Sequence, residues 1–264
     1  MEPPVFGYVR VQLIQDGTIA VIEFKRPESG NSLFPQLLSD TLTAHIWANE
    51  QPQISVIVQT GTGRFFNTGL DLNHLKGMSF AIGSDFHKLN RTLIASEKIL
   101  IGMVNGPAVG YGVSMLALLD LVYCVPEAYF FTPFVKWGMA AEGASSLTFP
   151  SLMGHQRAAA LFLTGERISA VEAQSLGLVN KIVAKRELLT HVIVVAKQLS
   201  AMPQESLRAT KRLMKEPVKQ QLLDANDREC DDIHQHRFLR EEFLEAIKQF
   251  KAKKRQKRST ESKL

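Results

Sequence analysis

The sequence predicts an α/β protein in which short buried strands alternate with helices. The clearest signals are two apolar runs, Ile54 to Gln59 and Ile101 to Val104, with a helical pattern between them. Unbroken apolar runs of this kind are typical of parallel strands that are buried on both faces. Alternation of such strands with helices is the pattern of βαβ units, so we expect an α/β sheet architecture.

The first half of the chain contains most of the predicted strands. Val9 to Leu13 and Thr18 to Phe24 have strand character around a turn at Asp16-Gly17, and Leu33 to Glu50 has helical character. After the first buried run, Gly61-Thr62-Gly63 breaks the pattern. The remaining predictions for this half are helices at His87 to Ile99 and Gly110 to Leu119, and strands at Leu121 to Val125 and Ala128 to Pro133.

Helices dominate the sequence from Ser145 onward. Ser169 to Ser175 is predicted to be a short helix, because Ser169 and Glu172 have the spacing of a capping box and Gly177 follows as a terminating glycine. The other helical patterns are Gln156 to Leu163, Glu187 to Ala201, Glu205 to Lys215 and Val218 to Phe250. We expect this region to pack on the sheet or on a neighbouring subunit.

Composition argues against several classes of protein. An apolar fraction of 45% in 264 residues is ample for a buried core. The longest apolar runs contain polar residues such as Asn105 and Asp120, so none supplies the roughly 20 residues that a membrane span needs. Cys124 and Cys230 are too few for a disulfide framework, and we expect a reducing compartment. The histidines show no metal-ligand spacing, and no metal is predicted.

The positive charge of the chain is concentrated near its C-terminus. The formal net charge is +5, and much of it comes from lysines and arginines between residues 251 and 258. A basic cluster without interleaved aromatic residues is more typical of a solvated tail than of a nucleic-acid reader, so no nucleic-acid partner is predicted. The final tripeptide, Ser262-Lys263-Leu264, matches the address that a peroxisomal import receptor reads at a free C-terminus. We therefore expect the protein in the peroxisomal matrix.

Glu142 is the only carboxylate in the apolar stretch from Tyr129 to Pro150, where a strand gives way to a helix. A carboxylate is costly to desolvate, and a weak base in a dry pocket suits the removal of a proton next to a carbonyl group. The other interpretation is a helix-start glutamate whose charge is stabilised by the positive end of the helix dipole. On position alone, both interpretations stay open.

Two glycine-containing turns follow predicted strands. The first is Phe65 to Leu72 (FFNTGLDL), and the second is Asn105 to Gly112 (NGPAVGYG). Each could present free backbone N–H groups at the start of a helix, and two such donors that converge would form an oxyanion hole. Taken singly, either turn is more simply an ordinary connection between a strand and a helix.

Together these segments resemble the crotonase (enoyl-CoA hydratase/isomerase) family. The resemblance also rests on the Asp16-Gly17 turn and Arg26-Pro27, on Asp120, and on the tract GERISAVEAQSLGLVNKIV from Gly165. It implies a crotonase (ClpP/crotonase-like) spiral of ββα units with a helical C-terminal region. The implied division is a spiral core with the active site at residues 1–200, a helical oligomerisation region at 201–255 and a basic tail at 256–264. Assembly as a homotrimer or a dimer of trimers is implied as well.

The resemblance also implies roles for individual residues. The backbone N–H groups of Leu70 and Tyr111 would hold the thioester oxygen of an acyl-CoA substrate. The implied substrate-binding residues are Thr68, Gly69, Leu70, Asp71, Leu72 and Tyr111. Hydratases of the family carry glutamates at the positions of Ser114 and Phe134, whereas Glu142 falls at the position used by Δ3,Δ2-enoyl-CoA isomerases, the peroxisomal branch in particular. No cofactor is implied beyond the coenzyme A of the substrate.

We therefore expect a Δ3,Δ2-enoyl-CoA isomerase of fatty-acid β-oxidation, in which Glu142 removes a proton from C2 and returns one to C4. Apolar residues near Glu142 in sequence should raise its pKa and exclude water. These residues are Phe130, Phe131, Phe134, Trp137 and Met139. The alternatives are a dienoyl-CoA isomerase, an enoyl-CoA hydratase, and a non-catalytic acyl-CoA-binding scaffold.

Some side chains around the implied site depart from the family pattern or have an open role. Leu70 and Tyr111 are larger than the residues common at these positions, so we expect both to crowd the acyl pocket. Tyr111 could also offer its hydroxyl group to the substrate, although packing is the simpler role. Asp71 is expected to position the following segment rather than to act as a second acid. Lys136 could contact phosphates of coenzyme A and stays unassigned.

Overall fold

The computed structural model describes residues 2–261 of the chain and confirms the predicted α/β class. Ser262-Lys263-Leu264 lie outside the described residues, so the targeting tripeptide stays a prediction. The strands are β1 (Val9–Ile14), β2 (Ile19–Phe24), β3 (Val56–Gly61), β4 (Ile99–Val104), β5 (Ala108–Val109), β6 (Leu121–Cys124), β7 (Tyr129–Phe131), β8 (Ile168–Ser169) and β9 (Lys181–Ile182).

A six-stranded sheet in the order β1-β2-β3-β4-β6-β9 forms the core. β1 is antiparallel to β2, and the other neighbours are parallel. Every residue of β3 and β4 is buried, as the unbroken apolar runs predict. Because Thr60 near the end of β3 pairs with Met103 near the end of β4, both strands finish at the same edge of the sheet. The two glycine turns that follow them are therefore brought together.

A second, three-stranded sheet in the order β5-β7-β8 supports these turns. Ala108 and Val109 of the second turn pair in parallel with Phe130 and Phe131. An isolated bridge between Asn67 and Ala108 then ties the first turn to the second. Backbone hydrogen bonding thus fixes the relative position of the two turns.

The helices lie around the two sheets. They are α1 (Pro35–Glu50), α2 (Asp85–Ala95), α3 (Tyr111–Ser114), α4 (Ser145–Met153), α5 (His155–Ala159), α6 (Ala170–Ser175), α7 (Leu188–Ser200), α8 (Gln204–Asp232) and α9 (Glu241–Glu261). Short 3-10 turns occupy Pro27–Ser29, Met115–Leu118 and Val135–Trp137, and π-helical turns occupy Ala160–Thr164 and Ile233–Arg237. The predicted capping box of α6 is confirmed, with Ser169 and Glu172 bonded reciprocally.

Several predicted helix boundaries are wrong. Helix α2 begins at Asp85, because the hydroxyl of Ser84 accepts the N–H of His87, and it ends at Ala95 so that Ile99 can join β4. The single helix predicted over Val218 to Phe250 is two helices separated by a break. Leu239 lies in that break with a φ of +60°, in the left-handed region that interrupts a helix.

Helix α8 also runs through Pro217, where the sequence predicts an interruption. A proline inside a helix removes one backbone hydrogen bond and costs about 3 kcal/mol. Contacts on both sides of it offset that cost. Before the proline, the ammonium group of Lys211 lies 2.6 Å from a carboxylate oxygen of Asp120. After it, Asn226 accepts a hydrogen bond from Asn90 of α2 at 2.9 Å.

The C-terminal helices pack on the sheet and on the site rather than apart from them. Helix α7 contacts β2, β3, β4 and β6, α8 contacts α2 and α4, and α9 contacts the turn Val135–Trp137. The division between residues 1–200 and 201–255 stays a prediction, as does the role of the second part in oligomerisation. Within residues 2–261, no helix combines the length and the apolar character of a membrane span.

Candidate active site

A cavity of about 760 Å³ opens between the two glycine turns, the segment after β7 and helix α9. Most of its lining is apolar. The lining residues are Thr68, Gly69, Leu70, Leu72, Val109, Gly110, Phe131, Pro133, Phe134, Lys136, Trp137, Met139, Glu142, Arg167, Phe243, Ala246, Gln249, Phe250 and Lys253. Of the residues predicted to bind substrate, Thr68, Gly69, Leu70 and Leu72 line the cavity, whereas Asp71 and Tyr111 do not.

The two turns meet at Gly69 and Gly110, which both have positive φ angles, +72° and +55°. A Cβ atom built on Gly69 would lie 3.0 Å from the carbonyl oxygen of Val109 and 3.5 Å from the backbone nitrogen of Tyr111. A Cβ atom built on Gly110 would lie 3.7 Å from the Cα atom of Gly69. Glycine at these positions therefore allows the two backbones to approach each other closely.

Two backbone donors at this corner are unpaired. The N–H of Gly69 donates to Asn67 Oδ1 and the N–H of Asp71 donates to the carbonyl oxygen of Leu33, both at 2.8 Å. Between them, the N–H of Leu70 donates to no group in the described part of the chain, and neither does that of Tyr111. Two free amides on turns that touch have the arrangement that can stabilise a developing oxyanion.

The side chain of Tyr111 lies in the core. It is 1% exposed, its ring lies 4.9 Å from that of Phe86, and its hydroxyl group donates to Asn90 Oδ1 at 2.8 Å. The amide of Asn90 in turn donates to Asn226 of α8. The expectation that Tyr111 crowds the pocket is therefore wrong, because its ring is buried against α2 and does not line the cavity. Of the two large residues, only Leu70 lines the cavity.

Glu142 lines the cavity beside the glycine corner. A Cβ atom on Gly110 would lie 3.9 Å from Glu142 Oε1. The residue is 7% exposed, and its carboxylate makes no hydrogen bond within the described residues. Burial, and secondly the negative charge of Glu229, raises the pKa of Glu142 to about 8. Among the described residues that line the cavity, Glu142 is the only carboxylate.

The helix-start role considered for Glu142 belongs to another residue. Glu229 of α8 accepts the N–H groups of Ala144 and Ser146 at 2.6 and 2.8 Å, at the beginning of α4. Glu142 contributes only its backbone carbonyl there, which accepts the N–H of Ser145 at 3.3 Å. Its side chain therefore remains available to a molecule in the cavity.

Asp71 has a structural environment. Arg26 donates to its Oδ2 at 2.6 Å, His74 Nδ1 lies 2.8 Å from the same oxygen, and the N–H of Asn73 donates to Oδ1 at 2.9 Å. Burial would raise the pKa of Asp71, but the hydrogen bonds from Asn73, Arg26 and His74 outweigh it and hold the pKa below its usual value. This network fixes the backbone next to Leu70, in agreement with the expected positioning role.

The positions where hydratases of the family carry glutamates hold no acid here. Ser114 is fully buried, and its hydroxyl lies 3.4 Å from the carbonyl oxygen of Gly110. Phe134 lines the cavity. Of the apolar residues expected around Glu142, Phe130 is instead buried in the core.

Helix α9 supplies part of the cavity wall that the sequence did not indicate. Its contributions include Phe243, which is 1% exposed, and Phe250, whose ring lies 4.9 Å from that of Trp137. Helical periodicity predicts that one face of a helix is buried, but it does not predict against what. For the same reason, Glu229 could not be distinguished from the other charged residues of a long helical pattern.

Three of the described residues that line the cavity are cations. Lys136 Nζ donates to the carbonyl oxygen of Gly165 at 2.9 Å, and the guanidinium group of Arg167 lies 4.7 Å above the ring of Tyr129. The third is Lys253 on α9. Among the side chains that the structure describes, which end at residue 253, no group of three or more His, Cys, Asp or Glu is placed to hold a metal ion. One carboxyl group beside two unpaired amide donors is an arrangement that can transfer a proton next to a carbonyl group.

Comparison with known proteins gives one family. A family model described as enoyl-CoA hydratase/isomerase matches residues 15–259. Enoyl-CoA delta isomerase 2 of Rattus norvegicus is 33% identical over 251 residues, which are 92% of this chain and 64% of that protein. The peroxisomal enoyl-CoA delta isomerase 3 of Mus musculus is 34% identical over 244 residues, 89% of this chain and 76% of that protein. The chain thus spans a little under two thirds of the rat relative and about three quarters of the mouse one.

The same comparisons include a different activity. The 4-chlorobenzoyl coenzyme A dehalogenase-2 of an Arthrobacter species is 30% identical over 248 residues, 89% of this chain and 88% of that protein. Among solved structures, an enoyl-CoA hydratase/isomerase from Pseudoalteromonas atlantica T6c superposes with a TM-score of 0.87 at 28% identity, covering 94% of this chain and 98% of that one. The expected crotonase spiral is therefore confirmed as the fold.

Proposed function

The chain belongs to the enoyl-CoA hydratase/isomerase family, whose members bind acyl-CoA substrates, and we propose that it is a Δ3,Δ2-enoyl-CoA isomerase. The observation that carries the proposal is the single carboxylate of the described cavity wall, Glu142, beside the corner of Gly69 and Gly110. Moving a double bond from C3–C4 to C2–C3 requires one proton removed from C2 and one returned to C4. One carboxyl group can do both.

The proposed reaction uses Glu142 as base and then as acid. The carboxylate removes a proton from C2, and the electrons move into a dienolate whose negative charge gathers on the thioester oxygen. The unpaired N–H groups of Leu70 and Tyr111 stabilise that oxygen, where losing one donor typically costs about 2.7–4 kcal/mol of barrier. The protonated Glu142 then donates its proton to C4. No cofactor is needed beyond the coenzyme A of the substrate.

A pKa of about 8 suits a group with these two roles. A general base works best when its pKa lies near the operating pH, because it must be partly ionised and still basic enough to take the proton. Water addition would require a second group to activate the water, and Ser114 and Phe134 cannot supply one. The apolar wall, including Phe134 and Met139, also limits access of water.

The proposal is tested with purified protein and four thioesters. These are a 3-enoyl-CoA, a 2-enoyl-CoA, a 3,5-dienoyl-CoA and 4-chlorobenzoyl-CoA, which probe the isomerase, hydratase, dienoyl isomerase and dehalogenase activities. We expect rapid conversion of the first to 2-enoyl-CoA. Glu142→Gln should lower the rate about 10²–10⁴-fold. Glu127→Gln, the same change at an exposed position, should leave it unaltered.

Two outcomes would contradict the proposal. Hydration of 2-enoyl-CoA at a rate that rivals isomerisation would assign the protein to the hydratases instead. Binding of all four thioesters, as measured by titration calorimetry, without turnover of any of them would indicate a non-catalytic acyl-CoA scaffold.

We also propose assembly as a homotrimer or a dimer of trimers, and a location in the peroxisome. The location is supported by the tripeptide Ser262-Lys263-Leu264 and by the mouse relative, whose name describes it as peroxisomal. Light scattering measures the number of subunits in the assembly. The cellular location is measured with a fluorescent fusion that retains residues 262–264 at its C-terminus, compared with a fusion that lacks them.

A further inference from the structure

Glu229 lies behind the segment that carries Glu142 and takes no part in the proposed proton transfer. It is 7% exposed. Its two carboxylate oxygens accept one backbone N–H each, from Ala144 at 2.6 Å and from Ser146 at 2.8 Å. The first N–H groups of a helix have no partner within it, so a carboxylate from α8 satisfies donors at the start of α4.

This contact holds an unusual backbone conformation in place. Gly143 and Ala144 have φ angles of +68° and +58°, and the left-handed region is unfavourable for alanine. The hydrogen bond from Ala144 to Glu229 and the bond from Ser145 to the carbonyl of Glu142 close the segment at both ends. The backbone of Glu142 is thereby fixed relative to α8.

The negative charge of Glu229 also contributes to the raised pKa of Glu142. The titratable and charged groups around Glu142 are Glu229 and Cys230 on α8, Tyr111 on α3, and Lys136, Arg167 and Lys253 along the cavity. Burial raises the pKa of both Tyr111 and Cys230, so these two stay neutral. Burial raises the pKa of Glu229 too, but the hydrogen bonds from Ser146 and Ala144 oppose the rise. Glu142 has no such donors, so Glu229 ionises first.

We infer that Glu229 is a positioning residue for Glu142: it fixes the backbone that carries Glu142 and holds a second carboxylate against the same segment, at Ala144 and Ser146. The inference rests on the proposed function, because it gives Glu229 a part in the proton transfer through Glu142. Its consequence is that Glu142 keeps its proton to a higher pH than burial alone would cause. Charge and hydrogen bonding of the same side chain then determine both where Glu142 lies and when it ionises.

Two substitutions distinguish these contributions. Glu229→Gln keeps the length of the side chain, removes its charge and leaves one acceptor oxygen for the two N–H groups, whereas Glu229→Asp keeps the charge and withdraws the oxygens from Ala144 and Ser146. The midpoint of Glu142 ionisation reports the charge, and the plateau rate reports the position of Glu142. Glu216→Gln makes the same change as the first variant at an exposed position of α8 and serves as control. The ionisation of Glu142 is followed by infrared difference spectroscopy, with the band identified by its loss in Glu142→Gln. The pH dependence of kcat/KM is measured in parallel.

In Glu229→Gln we expect the midpoint of Glu142 ionisation to fall by about one pH unit or more, since a like charge is removed. The share of plateau kcat/KM retained at pH 6 should then rise about tenfold, because each pH unit is a factor of ten in the ionised fraction. In Glu229→Asp the midpoint should stay high, while the plateau kcat falls about tenfold or more because the carboxyl group is displaced. Glu216→Gln should match the wild type in every measurement.

An unchanged midpoint in Glu229→Gln overturns the inference, whether or not the plateau rate falls, since a purely structural role would alter only the plateau. If thermal unfolding shows that Glu229→Gln does not fold, Glu229→Asp decides, and wild-type kcat and KM in that variant overturn the inference. The infrared measurement needs no turnover. A protein without isomerase activity would therefore refute the proposed function while leaving the effect of Glu229 on Glu142 measurable.

Discussion

At the scale of single residues, the proposed site depends on backbone amides as much as on side chains. In the proposed mechanism Leu70 and Tyr111 act through their N–H groups, which leaves their side chains free to take other roles. Tyr111 uses this freedom to bond with Asn90, which links the second glycine turn to α2 and, through Asn226, to α8. The site is in this way tied to the hydrophobic core by polar contacts.

This link predicts the effect of Tyr111→Phe. The change leaves the backbone N–H in place and removes the hydroxyl that donates to Asn90, so a buried acceptor loses a partner. We expect the free energy of unfolding to fall by about 1–3 kcal/mol, and kcat/KM to fall less than tenfold. Urea unfolding and steady-state kinetics measure the two quantities. Tyr123→Phe is the control, because Tyr123 is 8% exposed and its hydroxyl makes no hydrogen bond within the described residues.

A much larger loss of activity in Tyr111→Phe would contradict this account. A fall of a hundredfold or more in kcat with little change in stability would mean that the hydroxyl contacts the substrate. That was the second role considered from the sequence, and the bond to Asn90 argues against it.

Glycines made much of the site predictable from the sequence. A positive φ and a close approach of two backbones can be inferred from Gly69 and Gly110, because few other residues tolerate them. Glu142 could be selected as a candidate because a carboxylate in an apolar run is rare, although only the family resemblance favoured a catalytic role over a helix-start role. Glu229 could not be selected in this way, because burial of a charge on a long helix depends on which neighbour the helix packs against.

At the scale of elements, the position of helix α9 is the feature that the sequence did not predict and that affects the site most. The helix covers the turn Val135–Trp137 and places Phe243 and Phe250 in the cavity wall. The positions of the strands and of the glycine turns follow from local patterns, whereas the position of α9 is set by long-range contacts. The break at Leu239, which redirects the chain after α8, has no proline or glycine to signal it.

Phe243→Ala tests the contribution of α9. Removing a fully buried phenylalanine typically costs about 3–5 kcal/mol, and here the loss falls on the contact between α9 and the cavity. We expect kcat/KM for 3-enoyl-CoA to fall at least tenfold and the cavity to admit water. Leu244→Ala, at the neighbouring residue that is 48% exposed, should have little effect on either quantity. Equal kinetics for the two variants would show that α9 does not contribute to the site in solution.

At the scale of the whole molecule, buried ionisable groups on two different elements limit stability from opposite sides of the pH scale. Glu142 has its pKa raised to about 8 and His45 has its pKa lowered to about 4. Each side chain is neutral in the folded protein over a pH range in which the same side chain would be charged in the unfolded chain. The two ranges overlap between about pH 4.5 and 6.5, so the combined cost of these two groups to the free energy of unfolding should be smallest there and larger on either side.

Glu142→Gln tests the alkaline side. The unfolded chain releases the proton of Glu142 above pH 4.5, whereas the folded protein keeps it until about pH 8, so stability falls as the pH rises between these values. The loss is on the order of a few kcal/mol, at about 1.4 kcal/mol for each unit of difference. We expect the variant to unfold at a higher temperature than the wild type at pH 8 and at a similar one at pH 5. A lower melting temperature of the variant at pH 8 would argue against a buried, neutral Glu142.

His45 tests the acid side; it does not line the cavity and connects α1 to Gln59 of β3. Its Nε2 lies 2.9 Å from Gln59 Oε1 and its Nδ1 has no partner in the described part of the chain, so the ring is buried in its neutral form. Burial lowers the pKa of His45 from 6.5 to about 4, although the hydrogen bond with Gln59 opposes the shift. The unfolded chain therefore takes up a proton below pH 6.5 that the fold excludes, and stability falls as the pH falls from 6.5 to about 4.

His45→Gln keeps a donor for Gln59 and cannot be protonated, so it should remove this acid sensitivity. Urea unfolding at pH 7 and pH 4.5 measures how much free energy of unfolding is lost on acidification. We expect this loss to be about 2–3 kcal/mol larger in the wild type than in the variant. His155→Gln, at an exposed position, supplies the control for loss of a histidine. If wild type and His45→Gln lose the same stability on acidification, carboxylates elsewhere in the molecule set the acid limit, and the neutral His45–Gln59 pair contributes nothing to it.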